Sequence, residues 1–239
     1  MNEVGKLRSA CKVRLIVLSA WAGAQCAGVY EFCHFFAANG YLPAPFVHDK
    51  ADTFMDFFHT LYWAFNPGRY TDWMSVYPPL NFLAMQAVGF LFSPSDVNDA
   101  FDLRQNGTAV IWFLIACYLV LPALMFKARC WAPFTFPEKA LLYIITVTAS
   151  PLLFALERGN LVIFALPLIS WLISARGAMQ SFAFALLVNL KPYFAILGGA
   201  FLSDPRAAFR SVFFSGLVFG VTGLILDESF MQLLRNLVG

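Results

Sequence analysis

Residues 107–126 read GTAVIWFLIACYLVLPALMF, a run without a single charged side chain. A helix of about 20 apolar residues crosses the hydrocarbon core of a bilayer, because each residue rises ~1.5 Å through a layer ~30 Å thick. The whole chain has a similar character, since 60% of its 239 residues are hydrophobic and only 13% are charged. Soluble domains carry about twice that charged fraction. The sequence therefore predicts an all-α integral membrane protein.

Six other apolar segments predict further membrane spans. They lie at 13–36, 78–94, 139–156, 160–175, 180–202 and 208–226. Neither a repeat nor a low-complexity linker separates them, so we expect one transmembrane domain, 1–239, built as a polytopic bundle of six to eight spans. Four basic residues, Lys6, Arg8, Lys12 and Arg14, precede the apolar run that begins at Leu15, and this pattern favours an uncleaved helix that starts in the cytoplasm.

The positions of the basic residues complicate a simple alternating topology. Clusters at Lys127/Arg129, Arg176 and Arg206/Arg210 all favour the cytoplasmic side. Seven strictly alternating spans cannot place all of them there. Two solutions remain open: one segment is re-entrant, or the segment 180–202 is two half-helices broken near Lys191–Pro192.

Charge and cysteine content exclude several classes of function. The net charge of +2 comes without a basic block, so no nucleic-acid partner is expected. The five cysteines show no CxxC or Cys/His spacing typical of metal sites. Asp52 and Asp56, one helical turn apart, lack the second cluster of ligands that a metal site would need, and we expect neither a metal nor another cofactor.

The polar loop 37–77 is the most informative region, because loops of this length are usually functional or disordered and this one is rich in aromatic residues. On a helix at about 100° per residue, Asp52, Asp56 and His59 share one stripe of the segment 52–63. Its phenylalanines gather on the opposite side. This pattern predicts an amphipathic helix at the membrane surface, with its apolar face in lipid and a carboxylate positioned as a candidate general base.

Other polar residues lie between apolar segments. Tyr77 precedes a Pro-Pro helix start. Arg158 and Asn160 occur together in ERGN, where the asparagine can cap the next helix and the arginine can meet an anion. Lys191 lies in apolar sequence beside a proline, a costly position that indicates a partner acid or a cavity.

The order of these motifs resembles that of GT-C glycosyltransferases, in particular the mannosyltransferase-like family that uses polyprenyl-phosphate sugars. The corresponding stretches are DTFMDFFHTLYWAFNPGRY, VYPP, ERGN and LKPY, which together cover residues 52–193. Members of this family are usually longer, with further spans after the Leu-Lys-Pro segment. The chain could therefore be a fragment, a compact relative or one half of an assembly.

The resemblance implies an inverting transfer of a hexosyl unit, with mannose as the first candidate, from a polyprenyl-phosphate sugar to a glycan or glycolipid acceptor. It implies a multi-pass protein of the bacterial plasma membrane, embedded in membrane lipid, with its active site on the external face. Asp52 or Asp56 would be the base, and the sequence leaves open which. Arg158 and Lys191 would hold the lipid phosphate, while His59, Tyr77 and Asn160 would contact substrate.

Two alternatives belong to other functional classes. A transporter or flippase for a lipid-linked sugar would also use broken helices and an intramembrane lysine. A non-catalytic membrane assembly subunit would fit the short chain. The concentration of polar residues in one loop favours the enzyme over the transporter.

Overall fold

A computed structural model describes residues 3–44, 46, 50–92, 97–226, 232–233 and 235–236. Most of these residues are helical and none of them lies in a strand, in agreement with the predicted all-α class. The helices are α1 (Glu3–Asn39), α2 (Met55–Ala64), α3 (Pro79–Phe92), α4 (Ala100–Asn106), α5 (Thr108–Met125), α6 (Phe136–Thr148), α7 (Ser150–Arg158), α8 (Ala165–Ser174), α9 (Ala178–Leu190) and α10 (Pro205–Leu226). Short 3₁₀ helices lie at Lys50–Asp52, Pro67–Arg69, Arg129–Trp131, Leu161–Phe164 and Pro192–Phe201.

Among the described residues, three helices are long and apolar enough to cross a membrane: α1, α5 and α10. A fourth candidate is the pair α6 and α7, which meet at a bend of 53°. The break falls at Ser150–Pro151, the start of α7, where proline lacks the N–H that a continuous helix would need. The predicted span 78–94 corresponds to α3, which has only 14 residues, fewer than a simple crossing needs.

The segment 180–202 is broken at the position that one of the two alternatives named. Helix α9 ends at Leu190, and a 3₁₀ helix begins at Pro192. The second half then turns back along the first, because the rings of Phe184 and Phe201 lie 5.3 Å apart and Gly198 lies against Phe184. Of the two solutions left open by the sequence, the structure shows the second, a segment 180–202 made of two half-helices broken near Lys191–Pro192.

Several contacts gather the helix termini at one end of the bundle. Arg14 of α1 forms a 2.9 Å ion pair with Glu138 of α6, and the Cys130 amide donates to Ser174 Oγ at the end of α8. The starts of α9 and α10 meet through the hydroxyls of Ser181 and Ser211. We call this end the basic end; its cations among the described residues include Lys12, Arg14, Lys127, Arg129, Lys139, Arg176, Arg206 and Arg210.

Helix α2 differs from its prediction in two respects. It begins at Met55, so Asp52 lies before the helix, in the 3₁₀ turn Lys50–Asp52. Its apolar face packs on protein and not on lipid, since Phe57 and Phe58 are completely buried in the largest hydrophobic cluster. Periodicity identified the buried face but could not identify the material that buries it, because protein interior and lipid select the same side chains.

Candidate functional site

The acidic segment before and within α2 meets the ERGN segment at the end of α7. Arg158 pairs with both aspartates: Nη1 with Asp52 Oδ2, and Nη2 with Asp56 Oδ1 at 2.6 Å. Asn160 donates from Nδ2 to Asp56 Oδ2 at 3.0 Å. These contacts join residues more than a hundred positions apart, and they bring four of the predicted site residues into one group, which we call the carboxylate–arginine cluster: Asp52, Asp56, Arg158 and Asn160.

The backbone around this cluster explains its geometry. The Phe54 amide donates to the Glu157 carbonyl at 2.7 Å, which holds Phe54 in a left-handed conformation with φ 65°. Gly159 ends α7 with φ 65° as well. A Cβ on Gly159 would lie 2.9 Å from Phe57 Cβ and 3.0 Å from the Phe54 carbonyl oxygen. The glycine therefore permits both the turn and the close approach of the two segments.

Asn160 also organises the chain that follows. Its Oδ1 accepts the Val162 amide at 3.0 Å and caps the 3₁₀ helix Leu161–Phe164. The capping role predicted for this asparagine is thus confirmed. The same side chain then presents Nδ2 to Asp56, so one residue both starts a helix and fixes a carboxylate.

The charges of the cluster compensate one another. Two carboxylates close together repel, and a guanidinium between them removes that repulsion through charge-assisted hydrogen bonds. Asp52 is the more accessible acid, with a side chain 38% exposed against 26% for Asp56. Asp56 has two side-chain partners and Asp52 has one. Asp52 is therefore the carboxylate more open to an incoming ligand.

His59 lies beside this cluster, one turn after Asp56 on α2. Its ring contacts Trp63 and Phe101, with both centroid separations at 5.6 Å. Burial lowers the pKa of His59 from 6.5, an effect that the charges of Asp52 and Asp56 oppose. The imidazole is therefore neutral at pH 7 and can accept or donate one hydrogen bond.

Lys191 and Tyr77 form a second polar group. Lys191 is buried at 5% exposure, with Nζ 3.0 Å from the Tyr77 hydroxyl and 4.2 Å from the centre of its ring. Within the part of the chain that the structure describes, no carboxylate pairs with this lysine. A buried ammonium held only by a phenol and its ring is a costly arrangement, and an anionic ligand would relieve that cost.

The break at Pro192 is stabilised by a residue that sequence reasoning did not select. Asn81, fully buried near the start of α3, donates from Nδ2 to the Leu190 carbonyl at 2.9 Å. That carbonyl lies at the end of α9, where the last carbonyls of a helix need outside partners. The available signal for Asn81 was its position in YPPLN, two residues after the second proline.

Arg104 is a second residue that sequence reasoning missed. Its Nη1 donates to the Ala51 carbonyl at 2.7 Å and to the Thr53 carbonyl at 3.2 Å. These bonds tie α4 to the turn that carries Asp52. No local pattern marks Arg104, because its role depends entirely on the distant segment it contacts.

The two polar groups remain separate but rest on the same hydrophobic cluster. No hydrogen bond or ion pair between described residues joins the carboxylate–arginine cluster to Lys191 and Tyr77. Phe54 and Tyr77 both pack against the buried cluster that includes Phe57 and Phe82. Packing therefore holds the groups in a fixed relation.

Each group borders an apolar cavity. A cavity of about 380 Å³ is lined by residues of α1, α7 and the intervening loop, among them Phe36, Phe54 and Glu157. Another of about 710 Å³ lies between α9, α10 and the 3₁₀ helix after Pro192. Pro78 and Pro192, the residues that follow Tyr77 and Lys191, line the second cavity.

The two aspartates that the sequence offered as metal ligands are already engaged. Among the described residues, no group of three or more histidine, cysteine, aspartate or glutamate side chains could hold an ion. Arg158 already bridges the two aspartates, so a cation at that position would compete with a fixed positive charge.

Comparisons of the chain with models of known protein families, with curated proteins and with solved structures found no match.

Proposed function

We propose that the protein is a membrane glycosyltransferase of the GT-C type that moves a hexosyl unit, with mannose as the first candidate, from a polyprenyl-phosphate sugar to a glycan or glycolipid. The observation that carries the proposal is the contact between the DTFMD and ERGN segments, which fixes two carboxylates around one guanidinium. The sequence marked the two segments for separate reasons, and a shared active site is the simplest explanation for their contact.

Asp52 is the proposed general base. In the reaction, the acceptor hydroxyl gives its proton to the Asp52 carboxylate while its oxygen bonds to the anomeric carbon. The bond from that carbon to the phosphate oxygen breaks, and the lipid phosphate leaves with the electron pair, which inverts the configuration. Asp56 and Asn160 act as positioning residues, because both are engaged in holding Arg158 and α2 in place. His59 contributes a neutral hydrogen-bonding group at the acceptor side.

Lys191 and Tyr77 are the proposed site for the donor phosphate. The lysine has a buried charge without an acidic partner among described residues, and preorganised cations of this kind stabilise the charge of a leaving group. The adjacent apolar cavity of about 710 Å³ offers room for the first units of the polyprenyl chain. Arg158, whose guanidinium is engaged by Asp52 and Asp56, then acts on the base rather than directly on the phosphate.

The proposed setting is the bacterial plasma membrane, as a multi-pass protein with the basic end in the cytoplasm. The hairpin at Lys191–Pro192 supports this orientation, because it returns the chain to the end where it started. Arg176 before the hairpin and Arg206 after it then lie on the same side, as the positive-inside rule requires. The carboxylate–arginine cluster faces the exterior. The count of six to eight spans belongs to this proposal.

The test is turnover by the purified protein in lipid nanodiscs, supplied with polyprenyl-phosphate mannose and a lipid acceptor. Asp52→Asn should lower the rate by about 10²–10⁴, the range for loss of a general base, while Asp56→Asn should have a smaller effect on rate and a larger one on stability. Asp72→Asn is the matched control, because Asp72 is exposed in the same outer segment. Turnover that survives both Asp52→Asn and Asp56→Asn would refute the assignment of the base.

A flippase for a lipid-linked sugar is the second candidate. The broken helix with a buried lysine at its turn favours it, since transporters bind substrates at such breaks. Wild-type protein that moves the lipid-linked sugar across vesicles without glycosyl transfer would support this function. If the chain alone shows neither turnover nor transport, that result would indicate an assembly subunit or a fragment that needs a partner.

A further inference from the structure

We propose that a cleft between α5 and α6, at the basic end, binds an anionic phospholipid. The cleft has a volume of about 510 Å³, and none of its lining residues belongs to the proposed active site. Its lining is Ala123, Phe126, Lys127, Phe136, Lys139, Ala140, Tyr143 and Ile144. The inference concerns a separate ligand and does not depend on glycosyl transfer.

The cleft combines a charged rim with an apolar wall. Lys127 follows the end of α5, and Lys139 lies in the first turn of α6, so each helix contributes one ammonium. Ala140 and Ile144 continue the wall along α6. A phospholipid has the same two parts: its phosphate binds cations, and its acyl chain packs against apolar side chains.

The width of the cleft is fixed by a hydrogen bond between its two helices. Tyr143 of α6 donates its hydroxyl to the Leu119 carbonyl of α5 at 3.0 Å. The tyrosine ring thus forms part of the lining while its polar atom is already satisfied. Because the bond holds α5 and α6 at a set separation, the cleft exists before a ligand arrives.

Charge complementarity selects an anionic ligand. Neither lysine of the rim forms an ion pair with a described residue. The neighbouring acid, Glu138, is fully buried and engaged by Arg14, the Thr135 hydroxyl and the Thr135 amide. The rim therefore presents two cations whose charge the protein leaves uncompensated.

The aromatic residue at the opening indicates a membrane ligand and not a soluble anion. Phe136 borders the cleft with 84% of its surface exposed, a position suited to the interface between headgroups and acyl chains. The polar pocket at Arg129 and Arg176 has two cations but no comparable apolar wall. The apolar cavity beside Glu157 carries an acid instead. Of these three sites, only the α5–α6 cleft pairs cations with an apolar channel.

The test measures binding of phosphatidylglycerol and of phosphatidylcholine with identical acyl chains to the full chain in detergent, by native mass spectrometry and thermal shift. We expect phosphatidylglycerol to bind more tightly than phosphatidylcholine and to raise the melting temperature of the protein further. The variant with Lys127→Gln and Lys139→Gln should weaken that binding roughly thirtyfold, from about a factor of five for each lysine near a headgroup. Arg206→Gln, an exposed cation elsewhere at the basic end, should change it by less than about threefold.

A second variant keeps the test decisive if the double change unfolds the protein. Ala140→Trp fills the wall of the cleft without altering any charge, and it should abolish the preference for phosphatidylglycerol. Equal binding of both lipids, equal losses in Arg206→Gln and in the lysine variant, or undiminished binding by Ala140→Trp would each overturn the proposal.

Discussion

The side-chain amide of Asn160 donates from Nδ2 to Asp56 Oδ2 at 3.0 Å. The two residues are separated by more than a hundred positions, and the bond joins the start of a 3₁₀ helix to the first turn of α2. The residue that caps the 3₁₀ helix therefore also holds the Asp56 carboxylate in position. Disturbing either side should therefore affect both the stability of the protein and the geometry of the site.

Removing the guanidinium should reveal the repulsion that it now neutralises. Arg158→Met leaves Asp52 and Asp56 without their shared partner, and we expect a loss of about 1–2 kcal/mol in the free energy of unfolding because the group is only partly buried. Combined with Asp56→Asn, the loss should be smaller than the sum of the two single changes, since they share one interaction.

The measurement is a double-mutant cycle by thermal or denaturant unfolding. Arg158→Met combined with Asp72→Asn is the control, and those two changes should add. If the losses from Arg158→Met and Asp56→Asn simply add, the two residues have no coupling energy.

Gly159 should tolerate a side chain poorly. Gly159→Ala introduces a Cβ at 2.9 Å from Phe57 Cβ, in a left-handed conformation that alone costs roughly 1–2 kcal/mol. We expect a lower melting temperature together with a lower activity per folded molecule.

Gly177→Ala provides the comparison for Gly159. Gly177 also has a positive φ, at 61°, but nothing lies within 4 Å of its Cβ position. That change should reduce stability while leaving activity per folded molecule intact. Equal losses of activity in the two variants would argue against the close contact as the cause.

Lys191 should contribute to function at the expense of stability. Lys191→Met replaces a buried ammonium that has no acidic partner among the described residues with an apolar side chain of similar length. Such replacements are often neutral or stabilising, so the melting temperature should hold or rise while turnover and donor binding fall.

Tyr77→Phe should reduce donor binding less than Lys191→Met does, because the ring that contacts the ammonium is retained. Both variants can be compared by the KM for the polyprenyl-phosphate sugar and by the melting temperature. A Lys191→Met protein with a lower melting temperature but an unchanged KM for the donor would place the lysine in a structural role.

His59 should make the protein more sensitive to mild acid. Because burial lowers its pKa from 6.5 in the folded state, the unfolded chain binds the proton more readily between that lowered pKa and about 6.5. Its contribution to stability is present above pH 6.5 and is lost as the pH falls through this window. His59→Gln should therefore show a smaller difference in melting temperature between pH 7.5 and pH 5.5 than the wild type. Identical pH profiles for the wild type and His59→Gln would contradict a lowered pKa of His59 in the folded state.

The sequence alone determined the features that depend on local pattern. Long apolar segments predicted the helical class and the three longest apolar helices, because burying backbone groups in lipid demands helices. Proline beside Lys191 marked a break in 180–202 as one of two possible solutions, since proline cannot continue the hydrogen-bond ladder of a helix. The same local reasoning identified Asn160 as a cap.

Tertiary structure decided what each of these features meets. The periodicity of 52–63 identified an apolar face, yet only packing shows that Phe57 and Phe58 are buried in protein. The start of α2 at Met55, and not at Asp52, depends on a hydrogen bond from Phe54 to the distant Glu157. Arg158 was recognised as an anion partner, but the fold supplies two aspartates as that anion. Local sequence encodes the conformation and polarity of a segment, whereas its partners are fixed by contacts across a hundred residues, which only the packed helices bring together.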